Sequence, residues 1–258
     1  MPNLNYPIIL VHGIGASDQK GRSWGKIPET LEDHGIELIL GNTDAWGTYE
    51  SNAVLLKATI ESVLQERGVE KVNIIAHSKG GIDSRYLIWR YDFGDKVASL
   101  STVCTPHKGS IIADMIYDNS IIHKEPFLKL WELIGEWYQD SNPDMYNAGY
   151  QLTTKHMQSF NETVPPDKRV YYHSYYTKME DPFDDIFLSE PYRILKQNNG
   201  DNDGLVSVES AMWGEESTYI PGRLSHRDIV GLGKTLPHGN DIASIYLGII
   251  NTLRVKGF

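Results

Sequence analysis

The chain has 258 residues, with 24 basic and 34 acidic side chains, a formal net charge of −10 and a hydrophobic fraction of 40%. This length and composition suit one α/β domain with an insertion and a sizeable core, expected to run over 1–258 as a single unit. The acidic balance argues against a nucleic-acid partner and against electrostatic docking on anionic membranes, and apolar runs such as Ile8 to Val11 are far too short to span a bilayer.

Cys104 is the single cysteine, which excludes an intrachain disulfide and any multi-cysteine metal site. Met1 to Tyr6 has neither a basic n-region nor an apolar h-region, so no signal peptide is read. The compartment stays open between the cytoplasm and secretion with a signal outside this sequence. The protein is expected to be a monomer.

The first part of the chain alternates strand and helix signals at the pace of βαβ units, which predicts a parallel sheet. Tyr6 to Val11, Ile36 to Leu40, Val72 to Ala76 and Val97 to Cys104 are short apolar runs, as expected of strands buried on both faces. Helical patterns lie between them near Trp24 to Asp33, Asn52 to Arg67 and Ile82 to Tyr91. From Ser110 to about Tyr150 the rhythm changes. Phe127, Leu130, Trp131, Ile134, Trp137 and Tyr138 fall at helical spacing on one face, which suits either a helix packed on the sheet or an amphipathic lid over an active site. A helix is expected near Thr153 to Phe160 and an aromatic-rich strand from Arg169 to Thr177. A polar loop over Asn198 to Gly204 and a last helix from about Asn240 to Leu253 follow.

The most informative segment is Ala76-His77-Ser78-Lys79-Gly80, where an apolar strand stops at a serine and a helical pattern starts at once. This is the pattern of a nucleophile elbow, in which a tight turn exposes the serine hydroxyl at a strand end. Its small flanking residues, Ala76 and Gly80, let backbone approach backbone. A serine nucleophile needs a base and an acid that orients the base, here expected later in the chain.

Two histidines lie beyond residue 200. His226 follows the turn signal Pro221-Gly222 and is loop-borne, whereas His238 reads as part of the turn before the final helix, so position favours His226. For the acid, Gly200-Asp201-Asn202-Asp203-Gly204-Leu205-Val206 offers two carboxylates. Asp203 lies where loop meets core, and Asp201 reads as a solvated turn residue; an Asx turn with no chemistry is the plain alternative for the whole loop. The oxyanion needs two backbone N–H donors, read as Lys79 after the nucleophile and Ile14 in the Val11-His12-Gly13-Ile14-Gly15 loop. Lys79 is expected to act through its amide, with its charge incidental. No phosphate-binding loop, dinucleotide fingerprint or zinc-binding His-Glu-x-x-His helix is present.

Together these segments resemble the bacterial true lipases of the Pseudomonas–Burkholderia–Proteus type. The similarity runs in order through Tyr6 to Gly13, Lys71 to Gly81, Thr105 to Ser110, Leu152 to Thr154, Asn202 to Val206 and His226 to Asp228. The resemblance implies an α/β-hydrolase fold, with a mostly parallel sheet, flanking helices and a helical lid or cap over about 110–150. It implies Ser78 as nucleophile, Asp203 as acid, His226 as base, and the Ile14 and Lys79 amides as the oxyanion hole. His107 matches a family position near the active-site rim and has no assigned catalytic role.

The resemblance further implies a structural calcium ion, held by the carboxylates of Asp181 and Asp228 and the carbonyls of Leu232 and Leu236, with no cofactor for catalysis. Lys79 stands where glutamine is commoner, a change expected to alter the rim of the acyl site. The activity implied is a serine carboxylic-ester hydrolase acting on acylglycerols or related fatty-acyl esters, at a lipid–water interface if the lid reading holds. A short-chain esterase or polyester hydrolase with the same triad, and a non-catalytic scaffold of the same fold, are the competing readings.

Overall fold

The computed structural model describes residues 4–18, 23–117, 140–232 and 242–258. Six strands form one sheet in the order β2-β1-β3-β4-β5-β6, and every neighbouring pair is parallel. They are β1 (Ile8–Val11), β2 (Leu38–Leu40), β3 (Val72–His77), β4 (Val97–Val103), β5 (Tyr171–Tyr176) and β6 (Glu216–Tyr219). Strands β1, β3 and β4 are buried along their whole length, which is why they read in the sequence as apolar runs without alternation.

The helices are α1 (Ile27–Asp33), α2 (Tyr49–Arg67), α3 (Lys79–Arg90), α4 (Ile111–Tyr117), α5 (Met145–Tyr150), α6 (Thr154–Thr163), α7 (Ser189–Asn198), α8 (Val208–Ala211) and α9 (Ile242–Lys256). Successive strand residues point to opposite faces and so build two cores. Ile8 and Leu10 pack with Ile27 and Leu31 of α1 and with Tyr246 and Ile249 of α9. Ile9 and Val11 pack with Leu56 and Ile60 of α2 and with Leu87 of α3. Helix α2 is capped at its start by the Thr48 side chain, which accepts from the Ser51 N–H.

Helices α4 and α5 fall within the expected 110–150 insertion. Its aromatic stripe, Phe127 to Tyr138, lies outside the described residues, as do Leu236 and His238. Strand β6 was not expected from the sequence. Glu-Ser-Thr-Tyr is polar and mostly exposed, so it carries no apolar signal, and β5 alone recruits it. No helix among the described residues is long and apolar enough to cross a membrane. Parallel strands point all their carboxyl ends to one edge, and loops gathered there converge on one place.

Candidate active site

Ser78 sits between the end of β3 and the first turn of α3, with φ 53° and ψ −129°. A non-glycine residue rarely holds such a backbone, and it persists only where its surroundings enforce it. The enforcement is visible on both sides. A Cβ on Gly80 would stand 2.5 Å from the His12 carbonyl oxygen and 2.6 Å from that of Val11, and one on Gly13 would stand 2.7 Å from the Ser78 Cβ. The β1 loop and the elbow therefore touch backbone to backbone. Ala76, wholly buried, fits the other side of the turn.

The Ser78 hydroxyl donates to Nε2 of His226 at 2.9 Å, and the His226 Nδ1–H donates to Oδ2 of Asp203 at 2.8 Å. The other Asp203 oxygen accepts the N–H groups of Leu205 at 3.0 Å and Val206 at 2.8 Å, and its carbonyl accepts the His226 N–H at 2.8 Å. All three side chains are buried. A carboxylate fixed by two amides and aimed at Nδ1 selects the imidazole tautomer that leaves Nε2 free to take a proton. Asp201, by contrast, is half-buried, points away from the triad and pairs with Lys178 and Lys196.

His77 was not singled out from the sequence. Its ring lies 4.6 Å from that of His226, and its Nε2–H donates to the His226 carbonyl at 3.2 Å. Burial, and then the neighbouring His226, push the pKa of His77 well down, so it stays neutral and braces the His226 loop. Its position beside Ser78 was the available signal. Cys104 lies beneath the triad: its sulfur and the ligand atoms of Asp203 and His226 are within 4.8 Å of one another. The thiol is buried and its pKa is pushed well up by that burial, and the other two groups are already committed to each other.

Neither the Ile14 nor the Lys79 N–H donates to a backbone carbonyl among the described residues. Ile14 borders the cavity above Ser78. The Lys79 side chain departs from expectation. It is 1% exposed and turns into the interior, where Nζ donates to Oδ1 of Asp83 at 2.6 Å. The other Asp83 oxygen accepts from Nδ2 of Asn52 at 2.9 Å, and burial raises the Asp83 pKa. Lys79 thus does not alter the acyl-site rim, and its charge is part of a buried ion pair rather than incidental. His107 is likewise interior rather than at the rim. It accepts from Arg85, donates to Thr102 and stacks on Trp213.

Above Ser78 and His226 opens a cavity of about 650 Å³, within the rough 300–1,000 Å³ range of small-molecule sites. Ile14, Trp46, Ile112, Met145, Leu152 and Val206 make its wall largely apolar. Such a wall accepts a hydrocarbon chain and leaves the polar reaction to its floor.

Of the expected calcium ligands, Asp228 is buried and its pKa is raised, first by burial and also by the charge of Asp185. Ser225 ties the two acids together, its N–H donating to Asp228 at 2.9 Å and its hydroxyl to Asp185 at 2.9 Å. Asp181 instead accepts the Phe183 N–H and contributes charge near Arg223. The Leu232 carbonyl accepts from Arg227 at 3.2 Å. Asp185, which the sequence reading had not included, gives Asp228 a second buried carboxylate of the oxygen chemistry a hard divalent cation takes. Its other oxygen pairs with Arg227 at 3.4 Å, so that this guanidinium links Asp185 to the Leu232 carbonyl.

A parallel sheet carrying a Ser–His–Asp hydrogen-bonded chain at its carboxyl edge defines an α/β-hydrolase. The chain belongs to the palmitoyl protein thioesterase family, whose profile matches residues 7–179. It is 29% identical to a protein named triacylglycerol lipase 2 from Saccharomyces cerevisiae, over 91% of this chain and 74% of that one. It is also 29% identical to a triacylglycerol lipase of Burkholderia plantarii, over 62% of this chain and 48% of the other, so it spans about half of that bacterial relative. The mature Bacillus licheniformis lipase BlEst2 has the same fold, with a TM-score of 0.72, 23% identity, and 97% and 94% of the two chains covered. The lipase resemblance and the α/β-hydrolase fold read from the sequence are thereby borne out, and the chain is a carboxylic-ester hydrolase of the lipase and esterase class.

Proposed function

We propose that the protein cleaves fatty-acyl esters, acylglycerols among them, through an acyl-enzyme formed on Ser78. The observation that carries this reading is the hydrogen-bonded chain from Ser78 through His226 to Asp203 at the floor of a large, mostly apolar cavity. Ser78 Oγ attacks the carbonyl carbon while His226 Nε2 takes its proton, and Asp203 stabilises the imidazolium. The negative charge on the carbonyl oxygen is met by the Ile14 and Lys79 amides. His226 returns the proton to the leaving alkoxide, and water deacylates Ser78 by the same route. All these groups come from one chain, which acts as a monomer.

An exposed apolar loop adjoins the cavity and supports work at a lipid–water interface. Phe183, Ile186 and Phe187 are 77%, 57% and 73% exposed. Arg227, which borders the cavity, lies over the Phe187 ring at 4.7 Å. With a net charge of −10, contact with a neutral lipid surface is favoured over an anionic one. A structural calcium ion would be held by Asp228 and Asp185, with the Leu232 carbonyl nearby, and would pin the loop that carries His226.

The test is Ser78→Ala, assayed with a chain-length series of p-nitrophenyl esters and with a fluorophosphonate probe. Wild type is labelled at Ser78 and prefers long acyl chains presented as an emulsion. The variant folds, takes no label and loses at least about 10³-fold in kcat. Retained turnover would refute the mechanism. A preference for short soluble esters would move the assignment to the esterase alternative, and an unlabelled wild type to the non-catalytic scaffold.

A further inference from the structure

Two acidic residues lie outside the triad and its loops, yet each grips the backbone that the other belongs to. The Asp140 carboxylate accepts the N–H of Ala45 at 2.9 Å on one oxygen and that of Trp46 at 2.7 Å on the other. In return the Asp44 carboxylate accepts the N–H of Ser141 at 2.8 Å and of Asn142 at 2.7 Å. The Asp144 N–H adds a fifth bond to the Trp46 carbonyl at 2.8 Å. Loops 44–46 and 140–142 are thus joined by a reciprocal double clamp of charge-assisted hydrogen bonds, roughly twice as strong as neutral ones. Two like charges at one junction repel, and an arrangement that keeps both calls for a purpose beyond closing a turn.

What the clamped loop touches supplies the purpose. The Ala45 carbonyl accepts the Gly15 N–H at 2.9 Å, one residue beyond Ile14, and the Trp46 ring lies against Gly15 so closely that a Cβ there would stand 3.3 Å from it. On its other flank Asp44 is bonded to Asn52 twice, its N–H donating to Oδ1 at 3.0 Å and its carbonyl accepting from Nδ2 at 3.1 Å. Asn52 continues to Asp83, and Asp83 to the Lys79 ammonium. One arm therefore ends beside Ile14 and the other on Lys79.

We propose that Asp44 and Asp140 are positioning residues for the oxyanion hole, fixing through loop 44–46 both the Ile14 and the Lys79 amides. This rests on the function proposed above, in which those amides receive the developing oxyanion. Neither acid touches the substrate. They act by holding two donors that are only useful at the correct separation, since a displacement on the order of 1 Å costs about a hundredfold in rate.

The experiment uses the full chain, with active sites counted by fluorophosphonate titration and p-nitrophenyl butyrate as the soluble ester. Asp140→Asn keeps the shape but turns one acceptor into a donor facing a backbone N–H. It is expected to lower kcat about 10- to 100-fold with KM changed by less than about twofold. Affinity for an alkylboronic acid, whose tetrahedral adduct needs the oxyanion hole, falls by the same factor. Affinity for a long-chain alcohol, which does not, stays put. Asp44→Asn repeats the measurement from the other half of the clamp should Asp140→Asn not fold. Val63→Ala, in the α2 core, supplies a control for a general loss of stability. An unchanged kcat overturns the proposal. So does an equal loss of both affinities, or a kcat loss that Val63→Ala reproduces at a matched fall in Tm. Failure of wild type to label at Ser78 would instead remove the functional reading itself.

Discussion

Lys79 shows how one position carries two unrelated tasks. Its amide faces the reaction in the proposed mechanism, while its ammonium is buried against Asp83, both side chains being nearly inaccessible. A buried ion pair adds little over a well-packed apolar pair, but breaking it leaves an uncompensated charge. Lys79→Met is therefore expected to cost about 3–5 kcal/mol in denaturant unfolding, and the double variant with Asp83→Leu to recover most of it. A single-variant loss below about 1 kcal/mol would mean that the pair is not held as described. The triad was legible at this scale because its three residues sit in local patterns that chemistry requires. Asp44 and Asp140 were not legible, because the backbone groups they grip lie 94 to 98 residues away and no local pattern records that pairing. The Lys79 side chain was misread for a different reason: its partner Asp83 stands in plain view one turn along, but the spacing does not reveal that both side chains are buried.

Among the elements, strands built from apolar or aromatic runs announce themselves, and β1 to β5 were all expected close to where they lie. Strand β6 was hidden because its residues obey an edge position and a neighbour, not a core. Helices α7 and α8 were not anticipated: α8 is a single turn with too little period to detect, whereas the ten residues of α7 carry an amphipathic pattern that the sequence reading passed over. The loop of residues 181–187 was read only for its aspartate before proline. In the structure its inner acid, Asp185, is the one tied to Asp228. With calcium bound as proposed, a chelator is expected to lower the melting midpoint of wild type. The shift should vanish in Asp185→Asn and in Asp228→Asn and persist in Asp181→Asn. A chelator shift abolished by Asp181→Asn and retained by Asp185→Asn would restore the sequence-based ligand set.

For the molecule as a whole, interior histidines set a lower limit on pH, His77 and His107 most strongly and His173 in the same sense. Burial pushes the pKa values of His77 and His107 well below the ordinary 6.5, so both stay neutral in the folded chain. The unfolded chain takes up those protons near pH 6.5. Stability is therefore fully present above that pH and is lost as pH falls below it, by at most about 1.4 kcal/mol per pH unit for each histidine. Melting midpoints between pH 7.5 and 5 are expected to decline, and His107→Asn should flatten the decline relative to wild type. Parallel curves for the two proteins would show that His107 is protonated without penalty. The buried carboxyl groups whose pKa values are raised, Asp83 and Asp228, act in the opposite sense, which is why the comparison is made between proteins rather than on one curve.

The backbone at Ser78 has a consequence for how far this protein could be hardened. Its left-handed turn at φ 53° is paid in stability, on the order of 1–3 kcal/mol for a residue with a Cβ. Ser78→Ala keeps that burden and Ser78→Gly sheds it. The glycine variant should melt higher than the alanine one, by the equivalent of about 1 kcal/mol after glycine's greater freedom in the unfolded chain is subtracted. Equal midpoints would mean that the turn carries no strain. If the difference appears, the residue proposed as the nucleophile is also one that selection for robustness alone would discard. Engineered heat tolerance would then have to come from elsewhere in the fold.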